Sequence, residues 1–117
     1  MRPGTIDEAA AIVADASASG RRIRIGDDLV TDGLDRVLEH EAGDLTCTVE
    51  AGIRLSTLQA TLARAGQRLS LDPPGDPTVG ACLAERRSGP LSHRFGTPRD
   101  LVLGVTLVLG DGTVASS

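Results

Sequence analysis

Apolar residues near the start recur at helical spacing: Ile6, Ala9, Ala10, Val13 and Ala16. The preceding Thr5-Ile6-Asp7-Glu8 is a capping box, in which the Thr5 hydroxyl accepts an orphan amide hydrogen and Glu8 reaches back to the cap. Gly20 stops this helix, and residues 21–25, with Ile23 and Ile25 on one face, predict a short strand. Residues 26–33 are acidic and turn-rich, residues 34–40 read as a turn plus a short strand, and residues 41–44 as another turn. Residues 45–50 alternate, with Leu45, Cys47 and Val49 on one face and Thr46, Thr48 and Glu50 on the other, which predicts a half-buried strand. Leu55, Leu58, Leu62 and Ala65 form a helical stripe that Gly66 closes.

Beyond it, residues 69–71 read as extended. Asp72-Pro73-Pro74-Gly75-Asp76-Pro77 is neither helix nor central strand, because its prolines lack amide hydrogens. Thr78 is placed to cap a short helix through Arg87, closed by Ser88-Gly89, and residues 91–100 read as irregular. Residues 101–109 are nearly all apolar and predict a buried strand. Gly110-Asp111-Gly112 then turns into a paired strand beginning at Thr113-Val114. The sum is an α+β chain with two longer helices and about five short strands.

A chain of 117 residues is the size of one domain, able to bury roughly two-thirds of the surface exposed when unfolded. It has no Trp, no Tyr and one Phe, so the core is built from Leu, Val, Ile and Ala, and base stacking on aromatic platforms is excluded. Net charge is −4, which gives no footprint for nucleic acid. All 12 basic residues are Arg, so no mechanism here uses a lysine. Cys47 and Cys82 lie far apart without a CxxC and read as reduced thiols. The N-terminus is acidic where a signal peptide is apolar, and no stretch is long enough to span a bilayer. We therefore expect a cytoplasmic protein with no membrane span.

Two regions carry candidate chemistry. At Pro77-Thr78-Val79-Gly80-Ala81 an ordered loop feeds a helix start of small residues, which is either a capped start packed against a sheet or an anion or dinucleotide site. From Ser88 to Asp100, two glycines, two prolines, two arginines and the single Phe95 fall in one run, the composition of a functional loop or of a solvated connection. His40 and His93 have no metal-ligand spacing.

Taken in order, several stretches resemble a p-cresol methylhydroxylase-type FAD-binding domain. They are Cys47-Thr48-Val49-Glu50-Ala51-Gly52, the helix from Leu55, Gly66-Gln67, Asp72-Pro73-Pro74, Pro77-Thr78-Val79-Gly80, Ser88-Gly89-Pro90-Leu91, Arg94-Phe95-Gly96, Arg99-Asp100, Leu103-Gly104-Val105 and Asp111-Gly112. Within that family the chain is most similar to the FAD-binding subunit of glycolate oxidase and related flavin-linked oxidoreductases. The resemblance implies a two-lobed α+β fold, shortened and incomplete at the C-terminus, holding FAD between its lobes. It implies cofactor contacts at Pro74, Thr78, Val79, Gly80, Ala81, Ser88, Gly89, Leu91, Arg94 and Gly96. It implies oxidation of a small 2-hydroxy acid such as glycolate once a partner completes the site, and it leaves the catalytic base unassigned.

The sequence departs from that pattern in two places. Gly26 is followed directly by Asp27 and Asp28 where the family has a glycine-rich phosphate loop, and Gly80-Ala81 replaces a glycine pair. FAD is therefore expected to be non-covalent and weakly held. The alternative is a remnant that has lost FAD and serves only as a partner-binding module. The open apolar run 101–109 adds an expectation of self-association or of a partner subunit.

Overall fold

The computed structural model describes residues 1–85, 89, 91, 94, 96 and 98–117. These form two compact units, residues 1–34 with 103–117, and residues 35–102.

In the first unit, α1 runs Ile6–Ala18. Thr5 Oγ1 accepts from the Glu8 amide at 3.1 Å, but Glu8 reaches back to the Gly4 amide (2.8 Å) and not to the cap itself. The chain leaves the helix through Gly20 in the left-handed region, φ 68°. Ala9 and Ala16 are buried, together with Leu29 and Pro3. The strand expected over residues 21–25 does not form, and only an isolated bridge links Ile25 to Leu29. The reason is the turn that follows. The Arg24 carbonyl accepts from the amides of Asp27, Asp28 and Leu29, so the chain curls before a ladder can begin.

The same unit closes with an antiparallel hairpin whose strands are β3 (Thr106–Val108) and β4 (Val114–Ser116), with Leu107 opposite Ala115. Asp111 Oδ1 accepts the Thr113 amide across the turn (2.9 Å). Gly112, at φ 91°, lies so close to α1 that a β-carbon there would come within 2.5 Å of Ala14 Cβ. The apolar run 101–109 is not a buried strand. Only three of its residues are strand, and Leu103 (86% exposed) and Leu107 (50%) face outward. A two-stranded ribbon with one helix against it cannot cover both faces.

In the second unit, β1 (Val37–Glu41) and β2 (Thr46–Val49) pair antiparallel, joined by a 3-10 turn at Ala42–Asp44. Leu45 takes a left-handed conformation (φ 58°) to close that turn. Its side chain is therefore thrown into solvent, 79% exposed, and does not join Cys47 and Val49 on the inner face. Arg36 latches the open end of the hairpin: its Nε donates to Glu50 Oε1 at 2.7 Å and its Nη2 to Oε2 at 3.0 Å.

Helix α2 (Leu55–Ala63) buries Leu55, Leu58 and Leu62, as its stripe predicts. Ile53, Leu58 and Leu62 form one apolar cluster, with Val37, Cys47 and Val49 packed on it. Leu55, Leu71 and Cys82 form a second, and Leu69 and Val79 touch both. Helix α3 spans Val79–Glu85, and α4, a single turn at Pro98–Leu101, stands where an irregular segment was expected. Both cysteines are free thiols.

Two outcomes follow from this packing. Leu58 is 1% exposed, so Leu58→Ala should cost about 2–5 kcal/mol in urea unfolding, whereas Leu103→Ala should stay within about 0.5 kcal/mol of the parent. The Arg36 hydrogen bonds hold the Glu50 carboxyl below its ordinary range. Its contribution is therefore complete above the ordinary carboxyl range and is lost as pH falls through the lowered folded value. Glu50→Gln should flatten the acid limb of a melting-temperature profile against pH.

Candidate functional site

The site region is built around the proline-rich segment and the start of α2. Arg54 occupies the N-cap position of α2 and offers no side-chain acceptor to its amides. The acceptor comes from across the chain. Asp76 Oδ1 takes the Ser56 amide at 2.9 Å, and Asp76 Oδ2 takes the Ser56 hydroxyl at 2.6 Å. These two bonds, the hydroxyl's first, hold the Asp76 carboxyl below its ordinary range. Arg54 Nη1 donates to the Asp76 carbonyl (3.1 Å). Arg54 and Thr78 form an isolated antiparallel bridge, flanked by Leu55 N to Pro77 O (3.1 Å) and Val79 N to Ile53 O (2.9 Å). Pro73 and Pro77 are buried while Pro74 and Gly75 are exposed, so the segment is anchored at both ends with its middle outward.

Of the two readings of the start of α3, a capped start or an anion site with open amides, this bonding supports the capped start. Val79 N donates to Ile53 O, Gly80 N to Ala51 O (2.8 Å), Ala81 N to Thr78 Oγ1 (3.1 Å) and Cys82 N to Thr78 O (3.1 Å). The helix start is a capped start welded to the 51–54 turn. Among residues 78–82, only the Thr78 amide makes no hydrogen bond among the described residues. Gly80 is small for a protein neighbour: a β-carbon there would stand 3.0 Å from Ala51 Cβ and 3.1 Å from Ala51 O.

The second candidate region is held by Asp72. Its Oδ1 accepts the Leu91 amide at 3.1 Å. A β-carbon at Gly89 would collide with the Asp72 carbonyl and carboxylate. Arg94 is exposed, and its amide donates to Leu91 O (3.1 Å). Gly96 sits at φ 97° against Asp100. Ser88, with Pro90, His93 and Phe95, lies outside the described residues.

The turn after Gly26 is closed on itself. Besides the three amides gathered by Arg24 O, Gly26 N donates to Leu29 O (2.8 Å), and Asp28 Oδ2 accepts the Arg24 amide (2.9 Å). The bond from the Arg24 amide above all, with the Arg24 guanidinium beside it, lowers the Asp28 carboxyl. No amide of residues 26–29 is left to cradle a phosphate.

The structure thus brings Pro74, Thr78, Val79, Gly80 and Ala81 into one braced segment and sets Gly89 and Leu91 on Asp72. Sequence reasoning missed Asp72, Asp76, Ser56 and Ala51. The available signal was a helix whose N-cap is an arginine: such a start needs an acceptor from elsewhere, and Asp76 stands in the one nearby segment that cannot be regular structure.

Residues 27–117 match the family model described as an FAD binding domain. The chain is 32% identical over 97 residues to D-lactate dehydrogenase [cytochrome] 1 of Saccharomyces cerevisiae, covering 80% of this chain and 16% of that protein. It is 33% identical over 79 residues to glycolate oxidase subunit GlcE of Escherichia coli, covering 65% of this chain and 23% of that one. Among solved structures, chitooligosaccharide oxidase superposes with a TM-score of 0.87 at 20% identity, over 99% of this chain and 28% of that one. The chain belongs to the FAD-binding domain family of flavin-linked oxidoreductases, and it spans about a sixth of the length of the D-lactate dehydrogenases it matches. The α+β FAD-binding fold expected from the sequence is therefore the one found.

The described residues fit the family's cofactor as a backbone surface at 74–78, where Pro74 is exposed, Gly75 has no atom within 4 Å of an added β-carbon and the Thr78 amide is unspent. They do not fit it as an amide cradle at 26–29.

Gly80→Leu cannot serve as a clean binding-site probe, because the side chain would have to enter the space of Ala51. We expect it to lower the melting temperature and to detach α3, seen as lost protection of the Gly80 and Val79 amides in hydrogen exchange.

Proposed function

We propose that this chain is the FAD-holding part of an oxidoreductase that acts on a small 2-hydroxy acid such as glycolate, with the remainder of the site supplied by further polypeptide. The observation that carries this reading is the family match over residues 27–117, coinciding with the braced 72–81 segment. The likeness to D-lactate dehydrogenases and to a glycolate oxidase subunit supports the substrate class, since lactate and glycolate are both 2-hydroxy acids. The chemistry supplied by bound flavin is two-electron oxidation of the carbon bearing the hydroxyl.

The chain's own residues bind and orient. Pro74 and Thr78 offer the backbone of the proposed cofactor face, Val79, Gly80 and Ala81, whose amides are spent within the protein, brace it, and Ser88, Gly89, Leu91, Arg94 and Gly96 are proposed to complete it. Arg94 contributes positive charge to a chain of net −4. Asp72 fixes the Leu91 amide and so the path of the second stretch. No residue of the chain is assigned as general base. Leu107 on the hairpin and Leu103 ahead of it, both exposed, are the proposed surface for self-association or a partner subunit. No helix among the described residues is long and apolar enough to cross a membrane.

Without an amide cradle at 26–29, several charge-assisted hydrogen bonds of roughly 1.5–3 kcal/mol each are missing. FAD should therefore bind non-covalently, with a Kd of about micromolar or weaker. Titration followed by quenching of flavin fluorescence checks this. A nanomolar Kd would refute the weak-binding geometry, and no binding at millimolar FAD would refute the functional reading.

A further inference from the structure

The bonding around Asp76 goes further than the cofactor face itself. Asp76 stands two residues after Pro74 and two before Thr78, both proposed contacts, and both of its carboxylate oxygens are engaged by Ser56. Its carbonyl is engaged by Arg54. Three bonds from one residue thus tie an exposed turn to the first turn of a helix whose inner face, Leu55, Leu58 and Leu62, is buried core. Among the described residues, no other hydrogen bond reaches the middle of that turn: Pro74 and Gly75 are exposed, and Gly75 sits at φ 77° with open space around it.

An acidic residue is an unexpected choice beside a cofactor carrying a pyrophosphate, because an uncommitted carboxylate there would repel it. The geometry gives the carboxylate a different task, since both of its oxygens serve donors on Ser56 at the start of α2.

We propose that Asp76 is a positioning residue for the cofactor: through Ser56 it locks residues 74–78 to the start of α2, so that the Pro74–Gly75 backbone and the Thr78 amide hold their arrangement before FAD arrives. This rests on the reading of residues 74–81 as the cofactor face. Its physical content is preorganisation: a contact surface already fixed in the free protein loses less freedom on binding.

The test compares the full chain with Asp76→Ala and Asp76→Asn in three measurements: FAD affinity, the circular dichroism band of the bound flavin, and hydrogen exchange at the Val79 and Gly80 amides of the free protein. Asp76→Asn removes the charge but keeps an acceptor for the Ser56 amide, and its own amide can donate to the Ser56 hydroxyl. The expected result is roughly tenfold weaker FAD binding in Asp76→Ala, with an altered flavin band and faster exchange, and full rescue of all three in Asp76→Asn. If Asp76→Ala does not fold, Ser56→Ala, which removes only the hydroxyl bond, should show the same changes in smaller measure.

The proposal is overturned if Asp76→Ala or Ser56→Ala binds FAD as the parent does. It is overturned equally if Asp76→Asn is as impaired as Asp76→Ala, or binds more tightly than the parent, since either result would make charge the operative property. Failure of the underlying reading is separable, because it shows in the parent chain, before any substitution, as the absence of FAD binding, and it removes this assignment as well.

Discussion

Helix α2 begins without a cap of its own, and the second unit is arranged around the remedy. A helix start leaves amides that must find acceptors, and here the acceptor is Asp76, twenty positions along the chain from the Ser56 amide it serves. Once Asp76 is seated on Ser56, the proline segment has one place to lie. Pro77 then meets Leu55, Thr78 meets Arg54, and Val79 and Gly80 reach Ile53 and Ala51. That short ladder draws Val79 against both apolar clusters and places Cys82 in the second, at 0% exposure. A polar contact near the surface thereby sets the register of the core beneath it.

Much of this architecture was legible in the residues. The 3.6-residue recurrence in α1 and α2 translated directly into buried faces, because a helix shows its inner side through spacing alone. The Thr5 and Thr78 caps were readable because a hydroxyl three positions before an amide is a local relation. Strands fared worse where a neighbouring turn took the backbone's donors. Residues 21–25 lost their ladder to the Arg24 carbonyl, and Leu45 lost its place on the inner face to a left-handed turn. The run 101–109 looked buried because nearly every side chain in it is apolar, but burial depends on what covers a strand, which sequence hydrophobicity does not record.

The candidate site divides along the same line. Its location in residues 74–81 was readable from prolines, a capping threonine and small residues, all local signals. The state of its amides was not, because their partners, Ala51 and Ile53, come from a different turn. Glycine at position 80 invites two explanations, room for a ligand or room for the protein, and the nearness of Ala51 decides for the second.

Gly89 and Asp72 fill one another's space, and this has an evolutionary consequence. Any side chain at position 89 must displace Asp72, and displacing Asp72 strands the Leu91 amide that its carboxylate serves. The nearest obstacle is the backbone carbonyl oxygen of residue 72, an atom that every residue type carries, so no substitution at 72 makes room for a side chain at 89. Position 89 is therefore constrained by the path of the main chain and not by the identity of its neighbour, and an added side chain there must move the backbone of the 72 segment itself.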